Sequence, residues 1–219
     1  MIIAGIDEAG RGPALGPMVL AVACIEKEKE EALLRIGVKD SKQLSPQQRE
    51  QQDKQLRKTL FEFGSIHIEA AELDDLMDWK SLNEIEAMRI GMLLNRLKQK
   101  PDVVYVDAPD PIARNFGQRI KKYISFNTVI KSEHKADVNY PIVSAASIIA
   151  KVERDAAIKE LCKQYGDLGS GYPHDPKTIS FLCNFIKRNK KLPEIARKSW
   201  ETNKNISNEF FQKKLSKWK

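Results

Sequence analysis

Cysteine is scarce in this 219-residue chain: Cys24, Cys162 and Cys183 are odd in number and scattered, with no C-x-x-C spacing. That argues against both a disulfide framework and a zinc knuckle, and it points to a reducing, cytosolic setting. Long apolar runs are missing as well. The longest, Met18 to Ile25, falls far short of the roughly 20 residues that a bilayer-spanning helix needs. The stretch Met1-Ile2-Ile3-Ala4-Gly5 lacks the basic start of a signal peptide. The expectation is a soluble, cytoplasmic protein that makes no membrane contact. No internal repeat or low-complexity segment is evident, and the G-x-x-x-x-G-K-[ST] phosphate loop is absent, which weakens a reading as a nucleotide-phosphate binder.

What the chain does have is length for a sizeable core, as one large domain or a domain with an appendage, and positive charge placed unevenly. The whole chain carries 37 Lys and Arg against 30 Asp and Glu. Residues 151–219 hold 16 of the basic residues and 8 of the acidic ones, whereas residues 1–150 hold 21 and 22. A basic lobe joined to an acid-bearing one suits a polyanion gripped by cationic side chains while metal ions mask the carboxylates. A Lys-rich helical tail that merely faces solvent reads the same way from charge alone.

Patterning divides the chain into strands and helices. Ile2 to Ile6 and Met18 to Ile25 are apolar and flank a turn rich in glycine and proline, which suits an antiparallel pair. Ser45-Pro46-Gln47-Gln48 and Ser81-Leu82-Asn83-Glu84 both read as capping boxes that open helices. Ile85, Met88, Met92 and Leu93 then line one helical face. Phe63 to Ala70, Val103 to Val106 and Ser125 to Lys131 supply three more strands. Asp110-Pro111 is expected to start a helix, and others are expected from Pro141, over 176–189 and from about Trp200. The fold class is α/β, a mixed sheet flanked by helices and followed by a helical, basic tail.

Four acids stand out against this layout: Asp7, Glu8 and Asp107 lie at or near strand ends, and Asp137 heads a helical segment. Open α/β sheets place ligands at the carboxyl ends of strands. Carboxylates brought together there repel, and a divalent cation removes that cost; Mg²⁺ suits because it takes few protein carboxylates and finds its other ligands on phosphates. Isolated acids at strand ends also serve as caps or salt-bridge partners. In Asp7-Glu8-Ala9-Gly10-Arg11-Gly12-Pro13, glycines let backbone amides approach a ligand while Arg11 can address a phosphate, although a plain turn is the commoner meaning of Gly-x-Gly. Lys42 and Asn83 offer polar groups ahead of helices, where capping explains them equally well. Tyr172, between Gly171 and Pro173, could stack on a nucleotide or pack in its loop. His134 and His174 read as solvated loop histidines.

Taken jointly, Asp-Glu-Ala-Gly-Arg-Gly-Pro at 7–13, Asp-Ser-Lys at 40–42, Tyr-Val-Asp at 105–107, His-Lys-Ala-Asp at 134–137, Val-Ser-Ala-Ala-Ser-Ile-Ile-Ala-Lys at 143–151 and Gly-Ser-Gly-Tyr-Pro at 169–173 closely resemble type 2 ribonuclease H in its archaeal and eukaryotic style. The resemblance runs in order from residue 2 to about 200. It implies a ribonuclease H-like fold with a mixed five-stranded sheet over 1–165 and a basic, helical substrate-binding extension over 166–219. It further implies an endonuclease that cuts the RNA strand of RNA/DNA hybrids and incises at single ribonucleotides in duplex DNA, leaving 5′-phosphate and 3′-hydroxyl ends. Two divalent ions, Mg²⁺ or Mn²⁺, would be held by Asp7, Glu8, Asp107 and Asp137, with Asp7 bridging. Gly10, Arg11 and Gly12 would read the ribose 2′-hydroxyl and the scissile phosphate, Tyr172 would sense the RNA–DNA junction, and Lys42 and Asn83 would contact phosphates. The enzyme is expected to act as a monomer. Some family members carry a tail peptide for a DNA sliding clamp, which Phe210-Phe211 matches only faintly, because Lys204 and Ser207 occupy the motif's other places. Phe211, Leu215 and Trp218 are expected first as a helix face packed on the body. The rival reading is a non-catalytic nucleic-acid-binding module, in which the acids are structural.

Overall fold

The computed structural model describes residues 1–38 and 44–215. It divides into two compact units: the first comprises Met1–Ala9, Val19–His67 and Lys80–Arg154, the second Gly10–Met18, Ile68–Trp79 and Asp155–Lys219. No described helix is long and apolar enough to cross a membrane.

The first unit is organised by a five-stranded sheet of order β3-β2-β1-β4-β5, built from β1 (Ile2–Ala9), β2 (Met18–Glu26), β3 (Glu62–Ile68), β4 (Val103–Asp107) and β5 (Val129–Glu133). β1 runs antiparallel to β2 and parallel to β4, and β4 is parallel to β5. Strands β1 and β2 are almost wholly buried, which is why they read as continuous apolar runs and not as alternating ones. Around the sheet stand α1 (Glu31–Ile36), α2 (Pro46–Thr59), α4 (Leu82–Arg96), α5 (Ala113–Lys121), α6 (Ala136–Asn139) and the first part of α7 (Pro141–Tyr165), while α3 (Ala70–Met77) belongs to the second unit.

Strand alternation sorts β1 into two faces. Ile3, Gly5, Asp7 and Ala9 share one with Ala21, Ala23 and Ile25, and the buried helix residues Ile142, Val143, Ala145, Ala146 and Ile149 pack on it. A Cβ at Gly5 would lie 2.3 Å from the Ile142 backbone. Only a residue without a side chain lets α7 approach so closely, and that approach brings the Ser147 and Lys151 turns of the helix to Asp7.

The capping box at Ser45 forms as expected, with Gln48 and Ser45 exchanging hydrogen bonds of 2.8 and 3.2 Å. Other expectations need correction. Ser81 does cap α4, accepting the Glu84 amide at 3.3 Å, but Glu84 turns its carboxylate to Arg119 (2.8 Å) and Tyr123 (2.5 Å), where a cation and a phenol outcompete a backbone amide. Asp110 starts no helix: α5 begins at Ala113, and the buried Asp110 carboxylate takes a guanidinium bond from Arg119 at 2.9 Å. The fifth strand begins at Val129 and not at Ser125, whose amide and hydroxyl both go to the Asn95 side chain. The third strand ends at Ile68, and Ala70 opens α3.

In the second unit, residues 14–16 pair with residues 195–197. Leu15 bridges Ala196, the Gly16 amide donates to the Ile195 carbonyl at 2.9 Å, and the Arg197 amide to the Ala14 carbonyl at 3.0 Å. Leu15, Leu168, Leu182 and Ala196 form its core. α8 (Pro176–Asn189) has Asp175 as its N-cap and proline at its first position, and α9 (Glu201–Leu215) follows. Phe211 is 43% exposed, so it does not pack as a face of α9; Phe210, half-buried, instead lies under the Lys190 ammonium at 5.4 Å. The side chain of Leu215 and the whole of Trp218 lie outside the described residues.

Candidate active site

Because β1 and β4 are parallel with Ile6 opposite Val106, their next residues come side by side on the same side of the sheet: Asp107 ends β4, and Asp7 lies two residues before the end of β1. Asp7 is buried at 6% exposure. Burial pushes its carboxyl up to about 6, and the adjacent Asp107 charge adds to the rise. A hydrogen bond with Ser147, the charge of Lys151 and the Glu8 amide, which donates to Asp7 Oδ1 at 2.8 Å, pull the other way. Lys151 Nζ donates to Ser147 Oγ at 2.5 Å, so one turn of α7 presents a hydroxyl and an ammonium together to the buried acid.

Asp137 reaches this neighbourhood through Asp107. The Asp107 Oδ1 accepts the Ala136 amide at 2.9 Å, and Asp137, 3% exposed, follows directly in α6. The chain enters α6 through Lys135, held in the left-handed region at φ 58°. A non-glycine residue there costs on the order of 1–3 kcal/mol and persists only where its surroundings enforce it. Enforcement comes from the Asp107–Ala136 bond, from the Ser144 hydroxyl donating to the Asp137 carbonyl at 2.7 Å, and from Tyr140, which stacks on Tyr105 at 4.2 Å and donates to Glu133 at 2.8 Å.

Glu8 follows Asp7 on β1, so alternation sends its side chain toward the other sheet face. Among the described residues, no group of three or more His, Cys, Asp or Glu side chains is arranged to hold a metal ion. The aspartates are linked in pairs: Asp7 to Asp107 by charge, Asp107 to the Asp137 segment by an amide. Their donor set is oxygen alone, which fits hard cations such as Mg²⁺ and Mn²⁺ and not zinc or copper.

The remaining expected residues fall elsewhere. Gly10, Arg11, Gly12 and Tyr172 all belong to the second unit. Gly10 sits at φ 84°, a conformation that glycine takes at little cost. A Cβ on Gly12 would stand 3.9 Å from the Tyr172 ring. The Gly171 carbonyl accepts the Ala14 amide at 2.8 Å and the Leu15 amide at 3.2 Å, while the Gly171 amide donates to Thr178 Oγ1 at 2.9 Å. The glycine turn and the tyrosine loop are thus stitched together by backbone. Asn83, in the first unit, donates its side-chain amide to Asp110. Lys42 lies outside the described residues. His134 is exposed with its ring nitrogens 3.2 and 3.3 Å from the Ala108 and Pro111 carbonyls, and exposed His174 lies 5.5 Å from the Tyr172 ring.

Ser147 and Lys151, beside Asp7, carried no assigned role in the sequence, although their i, i+4 spacing within the 143–151 motif is the signal that could have found them. Cys24, whose thiol burial pushes up to about 12, is inert core.

A mixed sheet of this order, with neighbouring aspartates at or near the carboxyl ends of two adjacent parallel strands, defines the class as a ribonuclease H-like hydrolase. The chain belongs to the ribonuclease HII family, whose model matches residues 4–203. It is 46% identical over 231 aligned positions to Ribonuclease HII of Methanocaldococcus jannaschii, covering 98% of this chain and 99% of that one. Identity to Ribonuclease HII of Pyrococcus furiosus is 44% over 214, with 98% and 95% covered. The crystal structure of ribonuclease H2 from Pyrococcus horikoshii OT3 superposes with a TM-score of 0.92 at 44% identity, covering 97% of this chain and 100% of that one. Ribonuclease HII in its complex with PCNA from Archaeoglobus fulgidus gives 0.83 at 39%, with 92% and 96% covered. Bst-RNase HIII, solved with Mn²⁺, shares the fold, with a TM-score of 0.79 at 19% identity over 94% of this chain and 69% of that one. The protein is accordingly a divalent-metal-dependent ribonuclease H that hydrolyses RNA in RNA/DNA hybrids.

Proposed function

We propose that this ribonuclease also incises duplex DNA at a single embedded ribonucleotide, leaving 5′-phosphate and 3′-hydroxyl ends. The observation that carries this reading is the packing of the Gly10-Arg11-Gly12 turn beside Tyr172. Amides and a guanidinium on a glycine turn suit a ribose 2′-hydroxyl and its phosphate, and an adjacent aromatic ring can test the stacking of the next nucleotide. A site built to hydrogen-bond a hydroxyl rejects the analogue lacking it by about 10⁴–10⁵.

Asp7, Glu8, Asp107 and Asp137 are assigned to hold two divalent ions in the active complex, Mg²⁺ or Mn²⁺. Support comes from the all-oxygen donor set and from the burial of Asp7 beside a second carboxylate, an arrangement that a cation relieves. When bound, such ions supply Lewis-acid stabilisation of charge on the phosphate and make water nucleophilic at neutral pH. Ser147 and Lys151 orient Asp7, and the Ala136 amide orients Asp107. Lys42 and Asn83 are assigned to phosphate contacts, and the basic extension over 166–219 to gripping the flanking duplex through its Lys and Arg excess. A second reading concerns a partner: similarity to the ribonuclease HII solved with PCNA, together with exposed Phe211 on α9, favours contact with a sliding clamp.

The deciding test incubates the enzyme and Mg²⁺ with duplex DNA bearing one ribonucleotide and maps the cut. A single incision at the ribonucleotide, with a 5′-phosphate on the downstream product, is expected. Cutting of long hybrids with this substrate left intact would overturn the proposal.

A further inference from the structure

Arg197 is a fully buried cation at 0% exposure, and its guanidinium spends its donors on one short stretch of backbone. Nη2 donates to the Gly10 carbonyl at 2.6 Å, Nη1 to the Arg11 carbonyl at 3.1 Å, and Nε to the Gly16 carbonyl at 3.0 Å. The plane of the group stacks on the Trp200 ring at 4.8 Å. Its own amide binds the Ala14 carbonyl at 3.0 Å. Asn203, also at 0% exposure, uses its Nδ2 to join the Ala14 and Arg197 carbonyls, each at 2.8 Å. All of these residues lie in the second unit.

Burying a guanidinium is expensive unless its hydrogen bonds are made. Here they go to carbonyls of a turn whose glycines would otherwise leave it conformationally loose. A planar fork can hold several carbonyl oxygens in fixed relative positions; a lysine ammonium, a point charge, cannot. Holding the Gly10 and Arg11 carbonyls fixes those two peptide planes, and with them the directions of the Arg11 and Gly12 amides, which in trans peptides point opposite to the carbonyls.

We propose that Arg197, assisted by Asn203, is a positioning residue for recognition of the ribonucleotide: it sets the Gly10-Arg11-Gly12 turn in the geometry that reads the 2′-hydroxyl and the scissile phosphate. The inference rests on the assignment of that turn to the ribose. Misplacing a substrate-orienting group by about 1 Å costs on the order of 10²-fold in rate. Loss of the fork should therefore appear in kcat for the ribonucleotide substrate, while KM, dominated by backbone contacts along the duplex, stays nearly constant.

The experiment measures kcat and KM on duplex DNA with one ribonucleotide for Arg197→Lys, Arg197→Gln, Asn203→Ser and Arg11→Ala. Rates are normalised to the folded fraction and taken well below each melting temperature. Expected is a fall in kcat of about 10–100-fold for both Arg197 variants, with lysine failing to restore it, and a smaller fall for Asn203→Ser, all with KM within about threefold of the parent. A merely structural role would lower the melting temperature but leave kcat per folded molecule unchanged, and that result overturns the proposal. If the Arg197 variants do not fold, Asn203→Ser alone decides, and unchanged kcat there counts against it. Arg11→Ala separates the two levels of inference. Full activity in that variant removes the turn from ribose reading, whereas a damaged Arg11→Ala beside intact Arg197 and Asn203 variants refutes only the positioning role.

Discussion

The two units hold their functional groups by opposite means. In the first, Asp7 is buried beside Asp107 with its carboxyl pushed up to about 6, and Asp137 follows a lysine in the left-handed region. In the second, Arg197 donates to the Gly10, Arg11 and Gly16 carbonyls, Asn203 donates to the Ala14 carbonyl, and the Ala14 and Leu15 amides donate to the Gly171 carbonyl of the tyrosine loop. One region accumulates electrostatic and backbone cost; the other removes it. The contrast matches the chemistry proposed for the two regions, because carboxylates that hold cations are unfavourable together without them, while a turn that discriminates one hydroxyl must not move.

The largest test of this contrast is Asp137→Asn, which should lower hydrolysis of an RNA/DNA hybrid on the order of 10³-fold or more while hybrid binding is kept. In metal-free buffer the same variant should melt higher than the parent, since a buried negative charge has gone. Retained turnover would take Asp137 out of the site.

Next comes the pH dependence of Asp7. Its folded value of about 6 lies above the ordinary 3.8, so its protonated form favours folding: that contribution is complete below pH 3.8 and disappears as pH rises through about 6. Urea unfolding in EDTA should show the parent gaining stability relative to Asp7→Asn between pH 7 and pH 5, out of a limit of about 3 kcal/mol over the full shift. Parallel curves for the two proteins would mean that Asp7 carries no such cost.

The smallest effect is expected in the second unit. Tyr172→Ala removes a stacking surface worth roughly 1–3 kcal/mol, about five- to a hundredfold, and should hurt incision at a lone ribonucleotide more than cleavage of long hybrids. Equal losses on the two substrates would argue against junction sensing.

Much of the fold was legible in the chain because the signals were local. The Ser45 capping box, the apolar runs of β1, β2 and β4, and the helix over 176–189 all stand as read. Misreadings occurred where a side chain had a better partner far along the sequence. Asp110 looks like a helix cap but is taken by Arg119, and Glu84 leaves its capping role for Arg119 and Tyr123. The short helix α6 was hidden because its start depends on Lys135 in a conformation that lysine seldom adopts.

For the site, residue types and order were enough to single out four acids, a glycine turn and a tyrosine, because each sits in a compact motif. Arg197 has no such motif, and its three carbonyl partners lie more than 180 residues upstream. Sequence by itself determined the family, the strand and helix periods and the candidate chemistry, since these are written in neighbouring residues. Tertiary structure alone decided that Asp7 is buried next to Asp107, that Ser147 and Lys151 face it, and that a guanidinium from the far end of the chain holds the glycine turn. Burial, charge proximity and long-range hydrogen bonds arise only when distant segments pack, and no local pattern encodes them.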